Sequence, residues 1–329
     1  MNVKSKSIPT AFTRLLNVEL PIIAGPMFLV SNEKLVSEVS NSGGLGATPS
    51  LNWRTTELFQ QALKRIKSQS SKPYAVNLIV NKVNSRLEAD LAVCARERVP
   101  LVVTSLGNPK KVIEVVQRYG GKVFCDVTDL DYALKVEGQG ADGVIAVCAG
   151  AGGHAGAISP LVFIPYLRSK IKIPIVAAGG IANGLQIFAA LILGADAVQI
   201  GTRFIASLEA QVGADYKEAI LASGPEDIVM TRRISGTPAS VIRTPYIEKE
   251  GLDLNFLEKI LLNYPKTKKY AKLFRAIVGQ KALEKAAHGT TWKSVWSAGQ
   301  GVGLISDVIP CHAIMERLVD EYWQARDGI

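Results

Sequence analysis

Cysteine is scarce in this chain: four residues in 329, Cys94, Cys125, Cys148 and Cys311, widely spaced and without a C-x-x-C pair. That pattern excludes a disulfide framework and a cysteine-based metal site, and it leads to the expectation of a reducing, cytoplasmic setting with no metal. Long apolar runs are missing too. The run at residues 20–30 is broken by Pro21, Gly25 and Pro26, and no stretch reaches the roughly 18 apolar residues of a membrane helix. The first thirteen residues are polar and basic, without the apolar centre of a secretion signal. No membrane partner is expected. Aromatic residues make up only 7%, and they are not interleaved with basic ones; with no zinc spacing and no recognition helix, nucleic acid is not expected either. Low-complexity tracts are absent, and the 48% hydrophobic content supports a large core.

What is present is alternation. Apolar, often β-branched runs at residues 20–24, 45–48, 74–79, 101–104, 123–127, 143–147, 175–178 and 197–200 predict eight strands. Several, such as Ile175-Val176-Ala177-Ala178, are apolar throughout, as a parallel strand covered on both faces must be. Helical patterns lie between them, among them 32–41, 57–67, 109–119 and 184–193. Asn183 and Thr128 are candidate N-caps, and Gly43–Gly44 and Gly120–Gly121 stand where helices should stop. Eight strands, each trailed by a crossover, predict an α/β protein built as a TIM (β/α)8 barrel. The competing open doubly wound sheet carries G-x-G-x-x-G after its first strand, where this chain has Ala24-Gly25-Pro26-Met27.

After residue 200 the pattern turns mainly helical, with no clear strand alternation. Residues 209–288 are expected to form a smaller, mainly helical substrate or lid domain inserted after strand eight. Residues 1–208 and 289–329 are left for the barrel, which a helix at 311–326 completes. The formal charge is +9, and residues 243–285 hold ten Lys/Arg against five Asp/Glu. Such a stretch either draws in an anionic ligand or forms a solvated helical face.

Barrel enzymes place their chemistry in the loops after the strands, with phosphate often bound after strands seven and eight. Strand seven runs into Ala178-Gly179-Gly180-Ile181, and strand eight into Gln199-Ile200-Gly201-Thr202-Arg203. Glycine lets backbone N–H groups approach phosphate oxygens; Thr202 can add a hydroxyl and Arg203 a positive charge. Strand six ends in Gly150-Ala151-Gly152-Gly153-His154-Ala155-Gly156, whose small residues leave room for a flat ligand and leave His154 as the loop's titratable group. Strand one ends in Gly25, Pro26 and Met27, where backbone can run close to a planar ring, and Asn77 on strand three can hold a ring carbonyl or nitrogen. Lys122 begins strand five and belongs to the opposite face. Cys148 reads as a core residue, and His288 and His312 as structural or solvated.

Together these segments, with Trp296-Ser297-Ala298-Gly299-Gln300 near the end, resemble the nitronate monooxygenase (2-nitropropane dioxygenase) family over nearly the whole chain. The resemblance implies a barrel that binds FMN, with His154 as the catalytic histidine. It places Asn77, Gly152, Gly180 and Gln199 through Thr202 on the cofactor, in company with Gly25, Pro26, Met27, Gly153, Ala178, Gly179 and Gln300. The implied activity is oxidation of alkyl nitronates by O2 to a carbonyl compound and nitrite. Differences stand beside the likeness: Val147, Gly150 and Ala155 occupy places where the best-known group has Gln, Glu and Arg. Flavin-type enoyl-[acyl carrier protein] reductases share the barrel and the Gly-Gly-His. The alternatives are therefore an NAD(P)H-dependent flavin reductase acting on an enoyl thioester or a quinone, and a non-catalytic flavin-binding protein. The expected partner is a small anionic or carbonyl substrate, with a homodimer left open.

Overall fold

The computed structural model describes residues 7–81, 83–232, 238–252 and 295–328. The apolar runs pair as parallel strands in chain order: β1 Ile22–Ala24, β2 Leu45–Pro49, β3 Tyr74–Ile79, β4 Leu101–Ser105, β5 Lys122–Val127, β6 Gly143–Val147, β7 Ile175–Ala178 and β8 Ala197–Ile200. The eighth returns to the first through Ile23↔Gln199 and closes the barrel, so no strand edge is left open. Each strand has two apolar faces because both are covered. Ile23, Leu45, Ala75, Leu101, Val103, Phe124, Ile145, Val176 and Ala197 fill the interior. The alternate residues, such as Val76, Leu78, Val102 and Val144, pack outward under the helices.

The helices are α1 Ala11–Leu16, α2 Glu33–Asn41, α3 Thr56–Gln69, α4 Leu87–Arg96, α5 Lys110–Arg118, α6 Leu130–Gly138, α7 Pro160–Arg168 and α8 Gly184–Ile192. From α2 onward each is a crossover between successive strands. α1 does something else: its Phe12 and Leu16 belong to the interior cluster, and Phe12 meets the Phe124 ring edge-on at 6.0 Å. The barrel is thus stoppered with apolar side chains from the N-terminal segment. Asn183 caps α8 in a reciprocal capping box with Gln186. The expected cap at Thr128 falls one residue later: Asp129 accepts the Tyr132 N–H, and its carboxylate also suits the positive helix terminus.

Beyond β8 come α9 Thr202–Ile205, α10 Ala214–Ala222, β9 Ile228–Thr231, β10 Ala239–Ile242, α11 Pro245–Glu250 and, closing the ring, α12 Cys311–Asp327. The expectation of an insertion without strand character needs correction in its described part. β9 and β10 form a two-stranded antiparallel sheet, with Val229 and Thr231 buried while Met230 is exposed. Four-residue strands are too short for their alternation to stand out among flanking helical patterns. His288 and most of the lysine-rich run lie outside the described residues, as does the far limit of the insertion. α12 packs on α8 and α2, so the last helix completes the shell around β8 and β1. Among the described residues no helix is long and apolar enough to cross a membrane.

Candidate active site

The C-terminal ends of the strands form the mouth. β7 passes into Gly179 and Gly180, both at positive φ (137° and 71°). A Cβ on Gly179 would lie 2.9 Å from the Ala149 carbonyl oxygen, so the strand-six and strand-seven turns can touch only because this residue has no side chain. Gly180 has open space above it, and its carbonyl accepts from Gln186 Nε2 at 2.8 Å, which ties the turn to the start of α8. Here lies a cavity of about 460 Å³, lined by Gly150, Gly179, Gly180, Gln186, Gln300 and Gly301 among others. Gln300 comes from the far end of the chain and is held by its N–H donating to Gly150 O at 2.9 Å.

β8 ends at Gln199 and Ile200, followed by Gly201 and Thr202. These do not line that cavity. Ile200 buries its side chain in the outer core, while its carbonyl accepts from the Gly25 N–H at 2.8 Å. The turn after β1 is fixed by Ser31, which donates to Gly25 O and accepts from the Met27 N–H. The Met27 thioether then sits over Gly201. Thr202 Oγ1 accepts from the Gly299 N–H at 2.9 Å, which leaves the hydroxyl proton for another acceptor. The reading of Arg203 as a phosphate-neutralising charge is overturned. Its side chain is buried, with Nη1 on Asp307 Oδ1 at 2.9 Å and Nη2 donating to Ala206 O and Asp307 O. A guanidinium withdrawn from water must be paired, and Asp307 pairs it.

The strand-six loop is pinned on three sides. Ala149 N–H donates to Ile158 O; a Cβ on Gly152 would fall 2.8 Å from the Ala298 backbone; and Gly153 exchanges two backbone hydrogen bonds with Ser240 of β10, at 3.1 and 2.7 Å. Gly153 is at φ 67°, a conformation that favours glycine. The next residue, His154, keeps an exposed face, yet the protein packed around the ring holds its pKa below the ordinary 6.5 by desolvation. Its neutral form therefore dominates at neutral pH. Cys148 is a core residue as expected: buried, with burial pushing its thiol up to about 12. Lys122 pairs with Asp142 at the opposite end of β5.

The floor of the mouth is polar. Asn77 is buried, and its Nδ2 donates to Val103 O at 3.3 Å and Ser105 Oγ at 2.7 Å. Ser105 in turn donates to Asp126 Oδ2 at 2.5 Å. Gln199 Oε1 and Asp126 Oδ1 are buried with no partner among the described residues. Reading the sequence singles out Asn77 and Gln199 but misses Ser105 and Asp126. The signal for Asp126 was its place two residues after Phe124, on the inward face of β5. Orphaned buried acceptors beside a glycine-lined cradle fit a ligand that carries both an anionic group and N–H donors. Among the described residues no group of three or more potential metal ligands gathers.

The sequence profile of the nitronate monooxygenase family matches residues 9–90 and 82–321. A probable nitronate monooxygenase from Staphylococcus saprophyticus is 30% identical, with 95% of this chain and 98% of that protein covered. A hydroxy-methyl-oxo-octahydroindene-carboxyl-CoA dehydrogenase from Rhodococcus jostii is 28% identical over 98% of both. Among solved structures, FabK from Thermotoga maritima is similar with a TM-score of 0.86 and 33% identity over 98% of each chain. A nitroalkane oxidase from Streptomyces ansochromogenes is similar with a TM-score of 0.81 and 26% identity over 97% of this chain and 99% of that one. With the profile spanning most of its length and the barrel carrying the glycine turns and the histidine, the chain belongs to the nitronate monooxygenase family of flavin-dependent oxidoreductases.

Proposed function

We propose that this chain binds FMN at the barrel mouth and oxidises alkyl nitronates with O2, giving a carbonyl compound and nitrite. The observation that carries the proposal is His154: one imidazole, kept neutral by desolvation, on a loop pinned above a cradle of glycines. The backbone N–H groups at Gly180 and Gly201, the free proton of Thr202 and the Gln300 amide would hold the phosphate. Asn77 and Gln199 would meet the polar edge of the ring. FMN, when bound, supplies the acceptor for the substrate's electrons.

The rest falls to the protein. A neutral imidazole carries one unprotonated, basic nitrogen, so His154 can take the α-proton of a neutral nitroalkane. For a substrate that arrives already as a nitronate, its N–H can instead orient the anion. The lack of bulk at Gly150, Gly152, Gly153 and Ala155 leaves the approach to that imidazole open. The test is aerobic turnover of propionate 3-nitronate with nitrite detection. Nitrite is expected with the wild-type chain and at a markedly lower rate with His154→Ala; no nitrite from the wild-type chain above that of the variant would remove the assignment.

A second reading has its own support. Val147, Gly150 and Ala155 offer no polar side chain to a small anion, and the similarity to FabK and to a carboxyl-CoA dehydrogenase points toward acyl thioesters. In that reading the chain moves hydride between NAD(P)H, flavin and an enoyl thioester or quinone, and His154 handles the proton next to the carbonyl. Anaerobic bleaching of the bound flavin by NADPH, with no nitrite formed aerobically, would select it.

A further inference from the structure

Two buried acceptors without partners among the described residues belong to strand positions at the same end of the barrel: Gln199 Oε1 on β8 and Asp126 Oδ1 on β5. Phe124 lies in the interior cluster, so Asp126, two residues further along the strand, faces the interior at the mouth. Its Oδ2 accepts from Ser105 Oγ at 2.5 Å, and that hydroxyl accepts from Asn77 Nδ2 at 2.7 Å. Asn77 gives its other Nδ2 proton to Val103 O, so its Oδ1 is left to accept only. Three neighbouring strands, β3, β4 and β5, thus present a wall of acceptors.

In the closed order β1 to β8 this wall stands across the mouth from β7 and β8. A flat cofactor whose phosphate rests at Gly180 and Gly201 reaches toward it. The end of an isoalloxazine remote from its dimethylbenzene ring is an imide, an N–H between two carbonyls. That end also becomes electron-rich when the ring is reduced.

We propose that Asp126, held by Ser105 and Asn77, faces the pyrimidine edge of the bound flavin and lowers its tendency to accept electrons. The inference rests on the FMN reading above. Reduction puts two electrons on the ring together with at least one proton, which solvent can supply. A carboxylate at the electron-rich edge opposes that gain of negative charge. Burial pushes Asp126 up to about 6, so it is ionised at pH 8. The titratable neighbours that share its electrostatics, Cys125 on the same strand and Tyr132 on α6, are pushed up to about 12 and stay neutral there. The residues facing it from β4 and β6, Ser105 and Ile145, carry no charge.

The FMN-loaded full chain would be equilibrated anaerobically at pH 8 with a reference dye, and the ratio of reduced to oxidised flavin read from the visible spectrum. Asp126→Asn keeps the shape and an acceptor for Ser105 while removing the charge. It is expected to raise the ratio about tenfold, the effect of one nearby unit charge partly screened by solvent. Ser105→Ala removes the donor that offsets the carboxylate. Because that donor also holds the Asp126 pKa down, this variant is compared with wild type at pH 9, where the carboxylate stays ionised, and the ratio is expected to fall. An unchanged ratio in Asp126→Asn would overturn the inference; if that variant holds no FMN, an unchanged ratio in Ser105→Ala would do the same. A wild-type chain that takes up no FMN would instead overturn the cofactor reading itself.

Discussion

At the scale of single residues, His154 is where environment decides chemistry. Desolvation disfavours the imidazolium, so the neutral base persists to lower pH than a free histidine would allow. With a neutral nitroalkane as substrate, kcat/KM should rise with pH through one ionisation below 6.5 and run level from pH 7 upward. His154→Ala should lower it by about 10²–10⁴-fold, the range for a general base, and abolish the ionisation. A pH–rate profile of the two proteins checks this, and a rising limb centred above pH 7 would contradict it. The proposed base stands out in the sequence because a titratable side chain lies alone among Gly and Ala. Arg203 misled for a comparable reason: a cation beside a phosphate-type turn looks functional until its partner Asp307, 104 residues away, is seen.

At the scale of elements, close approach governs. α8 meets α12 at Gly184, where a Cβ would lie 2.2 Å from Tyr322 N and 2.3 Å from Leu318 O. The same glycine donates its N–H to Glu321 Oε2 at 2.8 Å. Gly184→Val should therefore push α12 off the barrel and cost about 3 kcal/mol or more, since overpacking backbone against backbone leaves nothing flexible to yield. Gly138 is also helical, near the end of α6, but nothing lies within 4 Å of its Cβ position. Gly138→Ala should be neutral or stabilising by up to about 1 kcal/mol. Urea unfolding midpoints of the two variants test the contrast. The β9–β10 ribbon is the complementary case: it grips the histidine loop through the backbone of Gly153 and Ser240, and backbone pairing leaves no mark on residue choice.

At the scale of the whole molecule, the excess of nine positive charges sets a field that any anion entering the mouth must cross. Raising salt from about 0.01 M to about 0.15 M shortens the screening length from about 30 Å to about 8 Å. The KM for an alkyl nitronate should then rise severalfold, whereas that for the parent neutral nitroalkane should hold. Steady-state kinetics on both forms across that range separate steering of the anion from general salt inhibition, which would move the two together.

Strand positions, their parallel character and the glycine turns after β7 and β8 were determined by the sequence itself. Each depends on local facts: a run apolar on both faces needs cover on both sides, and a tight turn toward a ligand needs residues without Cβ. The candidate floor of the site was decided only by the tertiary structure. Asn77, Ser105 and Asp126 are separated by 28 and 21 residues along the chain, and they meet because barrel closure sets the register of three neighbouring strands. The same holds for Thr202 with Gly299 and Gly153 with Ser240. A hydrogen bond between distant segments requires a distance, and a distance across a closed barrel exists only once all eight strands are in place.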